Sequence, residues 1–275
     1  MSMRVLAETS ILLLLLATAC GRQDLEDEFR NVPLTALLHL HFERPLPPQV
    51  WSFIPEGISP VDPGLARDLL DRGPLGVSLV AIDITNLKPQ LLLLSSSVPP
   101  ETALALAARY MEFSPESASS RTDMRSPQGR LLGSVASRGS WTALYIGPST
   151  EVVMPAWLEL PGVESLWADS TLGLISHPTG ADVSLFMPSG FVSFLALAPV
   201  GNYVPGWADV RSAMALLQPR AARLDLSFRD FVAVEVRLVR EAAKVSRVRI
   251  ELEDSGFTPG EMLSALQLAL LGGPF

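Results

Sequence analysis

The chain has 275 residues, of which 48% are hydrophobic and 18% charged, with a formal net charge of -8. That composition supplies a sizeable core for one or two domains, and the acidic balance excludes a nucleic-acid binder that works through phosphate contacts. A single cysteine, Cys20, excludes any intramolecular disulfide.

In chain order, the first feature is a short head carrying Arg4 and Glu8, followed by the apolar run Ile11-Leu12-Leu13-Leu14-Leu15-Leu16-Ala17. The run falls short of the roughly 18 to 20 apolar residues that cross a bilayer, so it reads as the core of a secretory signal peptide over residues 1–19. The ending Ala17-Thr18-Ala19-Cys20 resembles the lipobox of bacterial lipoproteins. That resemblance implies diacylglycerol on the Cys20 thiol, cleavage before the cysteine, and acylation of the new amine. Gly21, standing where an aspartate would retain an enterobacterial lipoprotein at the inner membrane, implies an address at the outer membrane, facing the periplasm. Removing Arg4 and Glu8 together leaves the net charge unchanged.

Residues 20–32 follow as anchor and tether. Asp24, Glu26, Asp27 and Glu28 mark this stretch as a solvated spacer or a frayed helix start. Folded structure is expected from Leu34. Leu38, Leu40 and Phe42 alternate there with His39, His41 and Glu43, which places the apolar set on the covered face of a strand and the histidines on its wetter face.

From this point the chain reads as two similar units, residues 33–160 and 161–275. In the first, a strand at 36–42 leads through a loop with Trp51 and Phe53 to a helix opened by Asp62-Pro63-Gly64, then to strands at 76–85 and 90–97 and a helix after Pro99-Pro100. Proline suits the first helical position because its missing N–H would be unpaired there anyway. In the second, a strand at 182–187 leads through Phe191, Phe194 and Tyr203 to a helix opened by Pro205-Gly206-Trp207. Strands at 222–228, 231–239 and 244–253 follow, then a helix at Thr258-Pro259-Gly260-Glu261. Between the units lie a polar stretch, 114–130, expected as an exposed loop, and a hairpin of strands 131–136 and 141–146. The expected fold class is α+β: antiparallel sheets with helices on one face, built from a duplicated strand-helix-strand-strand-helix unit and joined as one continuous sheet.

His39 and His41 project from one face of a strand, and with His177 they resemble the ligand spacing of alpha carbonic anhydrases and cupins; these three are the metal candidates. The preferred reading is that His39 and His41 simply sit on the wetter face of the strand, so no metal is assigned. No Gly-x-Ser-x-Gly elbow, Ser-x-x-Lys or glycine-rich phosphate loop occurs, so no catalytic residue and no cofactor is assigned. Trp51, Phe53, Phe191, Phe194, Tyr203 and Trp207 are the candidate binding surface. The resulting expectation is a non-catalytic envelope lipoprotein, held on the membrane by its lipid and acting through contacts with another envelope protein. The alternative is a carrier of a lipid or other hydrophobic ligand.

Overall fold

A computed structural model describes residues 25–47, 62–83, 88–190, 212, 219–228, 232–240 and 244–252. Its centre is one antiparallel sheet of eleven strands: β1 (Leu38–Phe42), β2 (Leu75–Asp83), β3 (Lys88–Ser95), β4 (Ser114–Ala118), β5 (Arg121–Arg125), β6 (Leu131–Arg138), β7 (Trp141–Ile146), β8 (Val183–Met187), β9 (Ala221–Phe228), β10 (Val232–Val239) and β11 (Val245–Leu252). The spatial order is β11-β10-β9-β8-β1-β2-β3-β7-β6-β5-β4. β1 and β8 therefore meet side by side in mid-sheet, with His39 opposite Phe186 and His41 opposite Ser184.

The helices are α1 (Leu25–Phe29), α2 (Pro63–Leu70), α3 (Pro100–Tyr110), α4 (Thr150–Leu158) and α5 (Ser170–Gly173). Asp62 caps α2 by accepting from the Gly64 N–H at 2.7 Å, with Pro63 at the first helical position. Helices lie on both faces of the sheet, in place of the single covered face expected. Leu65, Leu69, Leu70, Ala103 and Leu106 of α2 and α3 pack with Leu93, Leu144 and Val135 on one face. Leu25 and Phe29 of α1, with Met154 and Trp157 of α4, pack with Leu92, Leu94, Ala143 and Tyr145 on the other. The cause is visible in β3: Leu92, Leu93 and Leu94 are consecutive and all buried, so both faces of that strand present apolar surface that must be covered.

The expected exposed loop at 114–130 contains the β4–β5 hairpin instead. All five residues of β4 are exposed. Polar composition marks a strand at the rim of a sheet as readily as a loop, since an edge strand has little core to face.

Where the acidic stretch before β1 is described, the helix start forms but is docked on the fold and not solvated. Leu25, Phe29 and Val32 are buried, and the Trp157 indole N–H donates to the Asn31 carbonyl at 2.8 Å. Spacing of these three at i, i+4 and i+7 gives the segment an apolar stripe, and α1 docks by it. Among the described residues no helix is long and apolar enough to cross a membrane.

Candidate functional site: a buried histidine–carboxylate cluster

The densest polar chemistry among the described residues sits where α1 meets β1. Strand alternation puts His39 and His41 on one face of β1, and α1 lays Glu28 over both of them. The His39 Nε2–H donates to Glu28 Oε1 at 2.7 Å and the His41 Nδ1–H donates to Glu28 Oε2 at 2.9 Å. The remaining ring nitrogens are also paired. Ser78 Oγ lies 2.8 Å from His39 Nδ1, and Glu43 Oε2 lies 3.2 Å from His41 Nε2.

Hydrogen-bond logic assigns the protons. A carboxylate only accepts, so His41, which faces Glu28 through one nitrogen and Glu43 through the other, must donate from both and is an imidazolium. His39 donates from Nε2, and its Nδ1 shares a hydrogen bond with the Ser78 hydroxyl. The electrostatics agree. Burial alone would lower the His41 pKa, but the Glu28 carboxylate overrides it and raises the group to about 9. Burial alone would raise the Glu28 pKa, but the two histidines bring it down to about 2. Glu28 and His41 form an ion pair whose side chains are 0% and 4% exposed.

Gly76 makes room for this arrangement. It stands opposite His41 on β2, and a Cβ there would lie 2.5 Å from Glu28 Oε1 and 3.0 Å from His39 Cε1. Any side chain at 76 would displace the carboxylate.

The cluster continues across the sheet on the same face. Phe186 of β8 packs edge-on against Phe29, with centroids 4.8 Å apart, and stacks beside His39 at 6.2 Å. The Arg223 guanidinium lies over the Phe186 ring, 4.7 Å from its centroid. Arg223 is 1% exposed. It donates to Asp225 at 2.7 Å, to the Ile175 and His177 carbonyls at 2.7 and 2.6 Å, and to Thr179 and Ser184 hydroxyls at 2.9 and 3.0 Å. Burial pushes its pKa down, and the adjacent Asp225 carboxylate opposes that shift. Farther out, Glu235 is held by Arg237 and Arg247 at 2.6 and 2.7 Å.

The histidines thus lie opposite to their expected placement. His39 and His41 are buried, while Leu38, Leu40 and Phe42 are half-buried. The expected wet face is the face that α1 covers, and Glu28 supplies the charge that makes burying two imidazoles tolerable. His177 does not join them: it is exposed in the loop after α5 and contributes its backbone carbonyl to Arg223. Among the described residues no group of three or more His, Cys, Asp or Glu is arranged to hold a metal ion. Cys20, Trp51, Phe53, Phe191, Phe194, Tyr203 and Trp207 lie outside the described residues.

Glu28 and His39 are wholly buried, while Glu43 at the edge of the cluster is 27% exposed. The chemistry of the cluster is that of a clamp, fastening α1 to the middle of the sheet. A cleft of about 540 Å³ opens at the Leu37 end of β1, between residues 34–37, 168–170 and 188–190. Its one carboxylate, Asp169, accepts from the Thr171 and Leu172 N–H groups to cap α5. No family model, curated protein or solved structure matches this chain.

Proposed function

We propose that this chain is an exported bacterial envelope lipoprotein, anchored through lipid on Cys20, with a non-catalytic binding or structural role at the membrane surface. The observation that carries the reading is where the buried chemistry sits. Glu28 belongs to the first described helix after Cys20, and its ion pair fastens that helix to the sheet rather than facing a substrate. Four residues separate Cys20 from Leu25. At no more than about 3.6 Å per residue, this brings the folded body within roughly 18 Å of the anchored thiol. A protein held that close to its membrane serves contacts made at the membrane surface.

We also propose that the sheet descends from a duplicated unit. The run β3-β2-β1-β8-β9-β10 reads outward in the same chain order on both sides of the β1–β8 pair, which supports a local two-fold relation between the halves. The pairing equates β9 with β2 and β10 with β3, and β11 takes the place beside β10 that β7 takes beside β3.

The anchoring is tested by expressing the full chain in a Gram-negative host fed an alkyne-bearing palmitate, beside Cys20→Ser, and separating membranes on a sucrose gradient. Label on the wild type alone, in the outer-membrane fraction, is expected. An unlabelled chain starting at Cys20 and released as soluble protein would refute lipid anchoring. A lipid-sized mass retained in native mass spectrometry would replace the structural role with that of a carrier.

A further inference from the structure

Six large apolar side chains are exposed among the described residues, and four of them, Leu34, Val163, Trp167 and Leu174, stand on one small assembly of segments. Hydrogen bonds hold that assembly together. The Leu34 N–H donates to the Glu164 carbonyl at 2.7 Å, the Leu166 N–H donates to the Val32 carbonyl at 2.8 Å, and Pro33 bridges Ser165. Leu174 follows α5 directly, and α5 packs on the short turn that carries Trp167. Through Arg30 the assembly also touches α1: the guanidinium lies 5.5 Å from the Trp167 ring centroid while pairing with Glu26 at 2.7 Å.

The position of this patch is what gives it meaning. It adjoins the helix that begins five residues after Cys20, so a lipid on that cysteine holds the patch close to the bilayer. Val163 is 75% exposed and Trp167 is 41% exposed although an arginine lies across it. A tryptophan with an arginine beside it and aliphatic neighbours is the composition favoured at the headgroup level of a membrane, where the ring is partly dehydrated and the guanidinium stays among polar groups.

We infer that Leu34, Val163, Trp167 and Leu174 form a membrane-resting surface that inserts shallowly into the leaflet holding the anchor and fixes how the sheet stands on it. The inference rests on the lipoprotein reading above. The matching surface is a zwitterionic bilayer: the charged neighbours Glu26, Asp27, Glu164 and Asp169 outnumber Arg30, so anionic headgroups are not attracted.

Once Cys20 carries its lipid, a newly introduced cysteine is the only free thiol in the chain, which makes a site-directed probe clean. Val163→Cys and Ser117→Cys are each purified as acylated protein, labelled with a nitroxide and placed in phosphatidylcholine vesicles. Ser117 lies on β4, the fully exposed strand at one rim of the sheet. The intact mass is read first, and electron paramagnetic resonance then compares collision with oxygen against collision with a water-soluble nickel chelate. At 163 oxygen should collide more often than nickel, and at 117 the order should reverse. A Trp167→Ser, Leu174→Ser background should remove the preference at 163. An acylated mass with a nickel-accessible nitroxide at 163 overturns the resting surface alone. A mass without acyl chains overturns the lipoprotein reading and the resting surface with it.

Discussion

Replacing Glu28 by glutamine keeps the shape of the side chain and removes its charge. The depression of the Glu28 pKa from 4.5 to about 2 corresponds to about 3 kcal/mol at about 1.4 kcal/mol per pH unit. The rise of His41 from 6.5 to about 9 reports the same pair from its other member, so the two are not added. The sign of the pH dependence follows from each group. The folded pKa of Glu28 lies below its unfolded value, so its contribution is complete above pH 4.5 and fades as pH falls toward 2. The folded pKa of His41 lies above its unfolded value, so its contribution is complete below pH 6.5 and is lost as pH rises through 9. The clamp is therefore strongest between about pH 4.5 and 6.5. Urea unfolding of the purified mature chain, followed by tryptophan fluorescence, reads this directly, because buried Trp157 bonds to Asn31 just past α1. With a slope of about 2 to 3 kcal/mol per molar urea, Glu28→Gln should lower the midpoint by about 1 M at pH 5.5. The gap should narrow by pH 9. Equal midpoints at pH 5.5, or a wild-type midpoint that does not fall between pH 6 and 9, would refute the ion pair.

Gly76→Ala should cost about 1 to 3 kcal/mol and speed hydrogen exchange in α1, because its Cβ meets the Glu28 carboxylate; Gly162→Ala, with no atom within 4 Å of its Cβ, should be nearly silent in the same assay. Arg223→Lys keeps the charge but cannot reach the Asp225, Ile175, His177, Thr179 and Ser184 acceptors together. It should lose about 3 kcal/mol or more in urea unfolding, and wild-type stability in that variant would show the fork geometry to be dispensable.

Period-two alternation was a sound guide to strands. β2, β3 and β6 to β11 lie within two residues of where the sequence places them, because a half-buried strand writes alternation into consecutive residues and a strand covered on both faces, such as β3 or β7, writes an apolar run. The covered face of β1 is the opposite of the expected one because alternation identifies two faces without saying which is covered. That choice depends on α1, remote in neither sequence nor space, whose Leu25, Phe29 and Val32 stripe was hidden among acidic residues. The same acidity that suggested a spacer includes Glu28, the residue that lets His39 and His41 be buried. β4 escapes the pattern for a different reason: Ser114–Ala118 has every residue exposed, so burial leaves no periodic signal in it.

The pairing of β1 with β8 has a consequence for how the protein is made. Strands β2, β3, β7, β6, β5 and β4 close among residues 75–146, so this block can assemble while the rest of the chain is still emerging. β1 cannot acquire its second neighbour until residues 183–187 arrive. Contacts so distant in sequence form slowly, since a long loop must close before they repay it. In the interval one edge of β1 is open. The early docking of α1, through Glu28 on the histidines of that same strand, would hold β1 in register as a template awaiting β8, and a chain lacking Glu28 should show its penalty first as misassembly at this seam.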